Sequence, residues 1–312
     1  MLTKPTNIQL SKGLVISIVQ SWIKGHPDAV MPNRVGNYRL IQKLNKENVF
    51  NPYAVGLYQC KGEKAFIKTW SGNLKNLAYY FLVNEYIASK ILYKKFELYN
   101  LTKKDEIKTP KLIQCISSKY SLSLIFEYVE GKTLTSHSQD EQVEVLSKVI
   151  GVLLEISSTL SDQEKKQFSS RGRSFYILSL PVFSFLTIIS NPKTYKVVFK
   201  AFIHCLKTSR FLTKANFCIT HRDISLDNIM VNKQGVFIVD WEEMVLTVPG
   251  YDITFFSLMP DQKSTADLVS QKLNYKPSPF LKNYLLIQKT CSYAYPKKFE
   301  NHYSKELYAL YS

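Results

Sequence analysis

The sequence predicts an α+β protein of two lobes, in which a small antiparallel sheet with one helix precedes a larger, mainly helical half. Three short β-rich runs, 38–44, 53–60 and 64–70, are separated by polar segments, a pattern typical of an antiparallel meander. Residues 73–96 then place aliphatic and aromatic side chains at helical spacing without proline or glycine. Helical patterns dominate beyond residue 132.

The remaining elements complete this plan. Two further strands are predicted before Gly131, and long helices and short strands follow it. The predicted strands cover 110–116, 121–129, 218–220, 229–232 and 236–241, and the predicted helices cover 141–160 and 194–212. The chain therefore divides into an N-terminal helical extension (1–33), an N-lobe (34–130) and a C-lobe (131–312).

Composition narrows the class of protein. The five cysteines form no C-x-x-C pair, which suits free thiols in a reducing compartment better than disulfides or a zinc site. The N-terminus lacks the residue order of a signal peptide, so the sequence indicates a cytoplasmic protein. The most apolar stretch, 175–189, contains Pro181 and is shorter than the roughly 20 residues that span a bilayer. It is predicted to be a buried helix or an interfacial segment.

The formal net charge of +16 has three interpretations. The positive charge could bind nucleic acid, or it could bind an anionic membrane surface or an anionic substrate. It could also reflect a general lysine-rich bias in composition. The lysines are spread along the whole chain, and no run of five basic residues occurs. Because no recognised nucleic-acid-binding module accompanies the charge, nucleic acid is the least favoured partner.

The chemistry is concentrated in H-R-D-I-S-L-D-N (221–228) and V-F-I-V-D-W (236–241). Asp223 and Asn228 lie five residues apart on a loop between apolar strands, and Asp240 ends the next strand, twelve residues beyond Asn228. Phosphoryl transfer needs a carboxylate to align the attacking hydroxyl and oxygen ligands for Mg²⁺. An amide and a carboxylate supply such ligands.

These residues resemble the catalytic and metal-binding loops of the protein-kinase-like superfamily. More narrowly, D-W-E at 240–242 followed by P-G-Y-D-I at 249–253 is similar to the aminoglycoside phosphotransferase and choline kinase group of small-molecule kinases. The resemblance implies a two-lobed kinase-like fold, with ATP and Mg²⁺ as cofactors. It implies Asp223 as the catalytic base, Asn228 and Asp240 as metal ligands, and His221 and Asp252 as structural support.

The resemblance also assigns residues of the N-lobe. Lys68, on the third predicted strand, would hold phosphate oxygens, although the neighbouring Lys64 is an alternative. Glu85, in the middle of the predicted helix, would orient that lysine, and a Lys68–Glu85 pair would offset the cost of burying a carboxylate. Backbone groups of Glu127 to Val129 would bind adenine. The segment N-K-E-N-V-F-N-P contains no glycine-rich loop, as in many small-molecule kinases of the group that this chain resembles. Phosphate contacts are therefore expected near Asn48 and Phe50.

The connection after Asp240 distinguishes two kinds of kinase. Only eleven residues separate Asp240 from Asp252, and no A-P-E sequence follows. A protein Ser/Thr kinase has a longer activation segment there to support a peptide, so the short connection favours a small hydroxyl acceptor. Residues 253–312 contain eight lysines and four acidic residues, which favours a neutral or anionic acceptor over a cationic drug.

The sequence therefore predicts transfer of the γ-phosphoryl group of MgATP to a hydroxyl of a small molecule. The acceptor could be a sugar, a polyol, an amino alcohol or a glycolipid headgroup, and an aminoglycoside or choline also remains open. Two alternatives come from other classes of protein: a non-catalytic nucleotide-binding pseudokinase, and a protein whose basic surface binds the membrane peripherally. Intact Asp223, Asn228 and Asp240 speak against the pseudokinase.

Overall fold

The computed structural model describes residues 30–45, 53–72, 77–103, 106–190, 192–214, 216–291 and 300–311. The chain forms two compact units. The first contains the residues up to Lys132 together with Ile229–Glu243, and the second contains Thr133–Asn228 and the residues from Met244 onward.

A six-stranded antiparallel sheet forms the body of the first unit, in the order β1-β2-β3-β4-β7-β6. A two-residue turn joins β3 to β4, and both of its residues, Lys61 and Gly62, have positive φ angles (50° and 89°), as a tight hairpin requires. The strands are β1 (Arg34–Val35), β2 (Tyr38–Lys43), β3 (Ala54–Cys60), β4 (Glu63–Ser71), β6 (Leu112–Ser117) and β7 (Ser121–Glu127).

One long helix, α1 (Leu77–Lys103), packs against β4, β6 and β7 of this sheet. It also packs against a 3-10 turn, Trp241–Glu243. Just before that turn, the antiparallel pair β11 (Ile229–Asn232) and β12 (Gly235–Ile238) is joined by β5 (Ile107–Lys108), which runs parallel to β12. These contacts explain why 229–243 belongs to the first unit. The short strand β8 (Lys132–Thr133) lies where the chain passes from one unit to the other.

Helices dominate the second unit, and its core is rich in aromatic side chains. Tyr176, Phe280 and Tyr284 are fully buried and in mutual ring contact. The helices are α2 (Gln139–Ser158), α3 (Asp162–Gln167), α4 (Arg173–Ser190), α5 (Tyr195–Thr208), α6 (Phe211–Lys214), α7 (Tyr251–Ser257), α8 (Lys263–Lys272), α9 (Pro279–Cys291) and α10 (Glu300–Tyr311). A small sheet of β9 (Ser170–Arg171), β13 (Val245–Thr247) and β10 (Cys218–Thr220), in the order β10-β13-β9, leads into the loop that follows β10.

The predicted α+β plan is confirmed: an antiparallel sheet with one helix precedes a mainly helical part. The helix predicted at 73–96 extends to Lys103, and helix α4 continues through Pro181. The structure changes from the first unit to the second at Lys132, and it groups 229–243 with the first unit because β12 pairs with β5. The division into an N-lobe of 34–130 and a C-lobe of 131–312 stays a prediction. Most of the predicted 1–33 extension lies outside the described residues.

Among the described helices, none has both the length and the apolar character required to cross a bilayer.

Candidate active site

A buried lysine is the centre of the site in the first unit. Lys68 lies on β4, and its side chain is only 4% exposed. Its Nζ donates hydrogen bonds to both carboxylate oxygens of Glu85, on α1, at 2.9 and 2.8 Å. It also donates to Asp240 Oδ1 at 2.7 Å, and Asp240 lies just after β12. The ion pair expected between Lys68 and Glu85 is therefore present, and the structure adds Asp240 to it.

Opposing effects set the pKa values of Lys68 and Glu85. Burial acts to lower the pKa of Lys68, but attraction to Asp240 and Glu85 outweighs burial and places this pKa above its ordinary value. Burial raises the pKa of Glu85, and the Lys68 ammonium opposes that shift. A lysine held as an ammonium ion at this position can contact anionic oxygen atoms such as those of a phosphate.

The turn that carries Asp240 is fixed by Trp241. The Trp241 indole is buried, and its Nε1 donates to Thr109 Oγ1 at 2.8 Å and to the Ile238 carbonyl oxygen at 3.0 Å. Asp240 itself has a φ of +67°, a left-handed conformation that is unfavourable for residues other than glycine. The buried Trp241 side chain therefore stabilises the left-handed conformation of Asp240, whose carboxylate accepts the hydrogen bond from Lys68.

Sequence reasoning missed Glu242, two residues beyond Asp240. Its Oε2 lies 3.5 Å from Lys68 Nζ, and its backbone carbonyl accepts a hydrogen bond from Asn84 Nδ2 at 2.8 Å. Carboxylate oxygens of Glu85, Asp240 and Glu242 lie within 4.8 Å of one another. Such an all-oxygen set fits Mg²⁺, and the D-W-E spacing was the signal that could have identified Glu242.

An apolar cavity of about 260 Å³ lies next to these carboxylates, in the same unit. Glu85 and Asp240 are among its lining residues, as are Glu127 and Val129, at the end of β7. The Glu127 backbone N–H already donates to the Lys111 carbonyl oxygen at 3.0 Å. The apolar lining comes from Leu44, Phe66, Phe126, Met230, Val239 and Trp241. Asn48 and Phe50, predicted to contact phosphate, lie outside the described residues.

In the second unit, the loop after β10 carries Asp223 and Asn228. The Asp223 side chain is exposed, whereas the residues on either side of it are buried. Asn228 Nδ2 donates to the Asp223 backbone oxygen at 2.8 Å and to Asp223 Oδ2 at 3.2 Å. The structure therefore brings together the two polar side chains that the H-x-D-x4-N spacing singles out.

Asp252, on α7, supports this loop from beneath. Its two carboxylate oxygens accept hydrogen bonds from the backbone N–H groups of His221, at 2.9 Å, and Arg222, at 2.8 Å. Burial raises the pKa of Asp252, while His221 and Arg222 oppose that shift. Arg222 has a φ of +70°, so the loop also contains a left-handed residue just before Asp223.

More than half of the sequence matches a known family. The model of the phosphotransferase enzyme family known as APH matches residues 92–274, which is more than half of the 312 residues. The chain belongs to the phosphotransferase enzyme family. The matched range contains the 221–228 loop, Asp240 and Asp252, but neither Lys68 nor Glu85. A search of curated protein sequences found no match.

Solved structures place this phosphotransferase in the two-lobed kinase-like fold. A thermostable mutant of the aminoglycoside phosphotransferase APH(4)-Ia, with ADP and hygromycin B, has a TM-score of 0.63 and 12% identity, covering 88% of this chain and 94% of that chain. A putative fructosamine-3-kinase from Haemophilus somnus 129PT has a TM-score of 0.53 and 13% identity, covering 96% and 99%. The APH(2")-IIa complex with streptomycin and ATP has a TM-score of 0.52 and 13% identity, and the match covers 95% of each chain.

The role of Asp252 in this phosphotransferase can be tested by stability. We expect Asp252→Ala to lower the free energy of unfolding by about 2–4 kcal/mol, because two buried backbone N–H groups lose their acceptor. Urea denaturation followed by circular dichroism measures this change. Asp267→Ala, at an exposed position on α8, is the matched control and is expected to change stability by less than about 0.5 kcal/mol. Equal effects of the two substitutions would contradict the supporting role.

The pH dependence of stability tests the environment of Glu242. Burial, followed by repulsion from Glu243, raises the pKa of Glu242 to about 8. Between about pH 4.5 and 8 the folded protein therefore keeps a proton on Glu242, whereas the unfolded chain, in which Glu242 has its ordinary pKa, has released it. The contribution of Glu242 to the free energy of unfolding consequently falls as pH rises through this range.

We expect Glu242→Gln to remove this component of the pH dependence. Between about pH 5.5 and 8, without Mg²⁺, the wild-type protein should lose about 1–3 kcal/mol more of its free energy of unfolding than Glu242→Gln does. Urea denaturation at both pH values gives this difference. Glu130→Gln, which makes the same change at an exposed site, should follow the wild type. The assignment fails if Glu242→Gln also keeps the wild-type slope.

Proposed function

We propose that this phosphotransferase moves the γ-phosphoryl group of MgATP to a hydroxyl group of a small molecule. The observation that carries the proposal is the ionised Lys68, held by Glu85 and Asp240 beside an apolar cavity of about 260 Å³. Family membership supports the same reaction class, and the nucleotide complexes of the structural neighbours support ATP as the donor. An ATP donor is consistent with a cytoplasmic protein.

Each part of the nucleotide has a proposed partner in the first unit. The adenine would lie in the apolar cavity between side chains such as Phe66 and Val239. Because the Glu127 N–H is engaged with Lys111, the Glu127 carbonyl and the Val129 N–H are the backbone groups proposed to bind adenine. Lys68 would bind phosphate oxygens. Asn48 remains a proposed phosphate contact.

Magnesium is the second proposed cofactor, and it would neutralise charge on the β- and γ-phosphates when bound. Asp240 and Glu242 offer carboxylate oxygens for it within the first unit. Asn228 is proposed as a further ligand on the strength of the family motif alone, since it belongs to the other unit.

Asp223 is the proposed catalytic base. Its exposed carboxylate can accept a hydrogen bond from the acceptor hydroxyl, and it would take the hydroxyl proton as the phosphoryl group moves in line. Asn228 orients Asp223 through its 3.2 Å hydrogen bond to Oδ2. His221 and Asp252 would act only by holding the loop.

A small acceptor is favoured over a protein. Between Asp240 and Asp252 the chain forms a 3-10 turn and strand β13 and then enters helix α7, so no long segment is available to support a peptide. A sugar, a polyol, an amino alcohol or a glycolipid headgroup is proposed as the acceptor. Aminoglycosides and choline stay in the set because the neighbours include aminoglycoside phosphotransferases.

A turnover experiment separates an enzyme from a nucleotide-binding scaffold. ATP consumption is measured with aminoglycosides, choline, sugars, polyols and glycolipid headgroups as acceptors, and Asp223→Asn serves as the blank. Turnover above the blank with one class of acceptor supports the proposal and identifies that class. ATP binding without turnover in any class would favour the pseudokinase alternative.

Asp223→Asn is expected to reduce transfer at least about 10²-fold while ATP affinity stays within about twofold, because the substitution removes the base and leaves the nucleotide contacts. Steady-state kinetics and calorimetric ATP titration measure the two quantities. Asp227→Asn changes an exposed acid in the same loop, bonded to Thr135 at 2.6 Å, and should retain most of the activity. Wild-type turnover by Asp223→Asn would remove the assignment.

Lys68→Met is expected to weaken ATP binding by about tenfold or more, because it removes a charge-assisted contact and leaves buried carboxylates without their cation. Lys64→Met is the matched control, since Lys64 lies on the same strand but is exposed. Fluorescent nucleotide titration measures both variants. If Lys64→Met causes the greater loss, Lys64 is the phosphate-binding lysine. Thermal melting shows whether Lys68→Met remains folded.

A further inference from the structure

Helix α4 has two apolar faces, and one of them is exposed. Tyr176, Leu180 and Thr187 face inward, and Thr187 Oγ1 donates to the Ile287 carbonyl oxygen on α9. The opposite face presents four side chains that are between 54% and 73% exposed: Leu178, Val182, Phe185 and Ile189. Their i, i+4, i+7, i+11 spacing places them in one stripe along the helix. A helix needs only one apolar face for its own core, so this stripe is not explained by folding.

Helix α5 also has exposed apolar side chains. It packs against α4, and both helices pack against α9. Its buried face includes Val198 and Ala201, whereas Tyr195, Phe199 and Leu206 are between 42% and 61% exposed. A row of exposed lysines lies beside these three side chains on the helix surface: Lys196, Lys200 and Lys207. The exposed apolar residues of α4 and α5 with these lysines are called the α4–α5 surface below.

The charge of the surrounding sequence is one-sided. Residues 165–222 contain eleven Lys and Arg residues and no Asp or Glu. At the frequency of the other 254 residues, about six acidic residues would be expected in this stretch. The 58 residues carry a formal charge of +11 out of the +16 of the whole chain. The basic character is thus greatest in the stretch of sequence that contains α4 and α5, where basic residues are frequent and acidic residues are absent.

We propose that the α4–α5 surface binds an anionic lipid bilayer. Its leucine, valine, isoleucine and phenylalanine side chains would enter the boundary between headgroups and acyl chains, as those of an interfacial amphipathic helix do. The lysines of α5 would contact lipid phosphate and carboxylate groups, whose surface potential attracts basic residues. This places the protein on the membrane surface without a membrane-spanning helix.

Charge excludes the other occupants of this surface. A second copy of the chain would bring two basic surfaces together. Residues 1–29 carry three lysines and one aspartate, so they offer no complementary charge either. A nucleic acid would match the charge, but it would leave the aliphatic stripe of Leu178, Val182 and Ile189 without an apolar partner. Of these candidates, a bilayer supplies both an anionic surface and an apolar layer.

The test is sedimentation of the full chain with vesicles. Vesicles of phosphatidylcholine alone are compared with vesicles containing about 30 mol% phosphatidylglycerol, a composition that gives the surface the anionic charge of a cell membrane. We expect binding to the anionic vesicles to be at least about tenfold stronger, and to weaken as salt screens the charges. The assay needs no nucleotide, so its outcome is independent of the proposed phosphotransfer reaction.

Two variants and their matched controls locate the binding surface. Phe185→Ser with Phe199→Ser, and separately Lys196, Lys200 and Lys207→Glu, should each lower vesicle binding at least about tenfold. The apolar control is Leu98→Ser with Leu101→Ser, exposed on α1, and the charge control is Lys119, Lys272 and Lys305→Glu. Both controls should stay within about threefold of the wild type. Thermal melting confirms that all four proteins are folded.

Several outcomes overturn the proposal. Equal binding to neutral and anionic vesicles, or none to either, would show that lipid charge is not recognised. Loss of binding in the control variants to the same extent would show nonspecific attraction of a basic protein. Dimerisation of the lipid-free wild type that Phe185→Ser with Phe199→Ser abolishes would assign the surface to a second copy. Oligonucleotide binding that depends on the α5 lysines, with no vesicle binding, would assign it to nucleic acid.

Discussion

The first unit depends on the burial of one ammonium group. Removing the charge of Lys68 from water costs several kcal/mol, and only close carboxylates with good geometry offset that cost. Glu85 and Asp240 meet this requirement at 2.7–2.9 Å. Because the partners come from a strand, a helix and a turn, the same interaction fixes β4, α1 and the 240–243 segment against one another. The apolar cavity takes its shape from these elements, so the charged group and the cavity are built together.

Both turns that carry site residues contain a strained residue. Asp240 and Arg222 are two of the four non-glycine residues with positive φ among the described residues. Such conformations cost about 1–3 kcal/mol each and persist only where the surroundings determine them. Trp241 supplies this support in one turn, through its buried indole and two hydrogen bonds. Asp252 supplies it in the other, through two backbone N–H groups, one of them that of Arg222. The strain directs the side chains of Asp240 and Asp223 outward from apolar strands.

The spacing of residues in the sequence was sufficient to predict contacts between site residues that lie close together in the chain. Asp223 and Asn228 share one short loop, so their proximity follows from five residues of chain. The Lys68–Glu85 pair was assigned from the resemblance to kinase-like proteins, and the cost of burying an unpaired carboxylate in the middle of an apolar helix supported that assignment. The Trp241–Thr109 hydrogen bond was not predictable, since it depends on how residues distant in sequence pack, and the D-W-E spacing could indicate Glu242 but not its distance from Lys68. For the same reason the sequence predicted α4 as a buried helix or an interfacial segment without choosing between them.

The distribution of charge bears on both the membrane and the acceptor. A compositional bias toward lysine would add cations along the whole chain, but it would not remove acidic residues from one continuous stretch of 58. The +16 charge is therefore better explained by a local feature of 165–222 than by a general one. It follows that net charge is a poor guide to the acceptor, because most of it lies outside the residues 253–312 that favoured a neutral or anionic ligand. The 221–228 loop, proposed above to be catalytic, presents exposed Asp223 and Asp227, so its local charge is acidic and differs from the basic average of the chain.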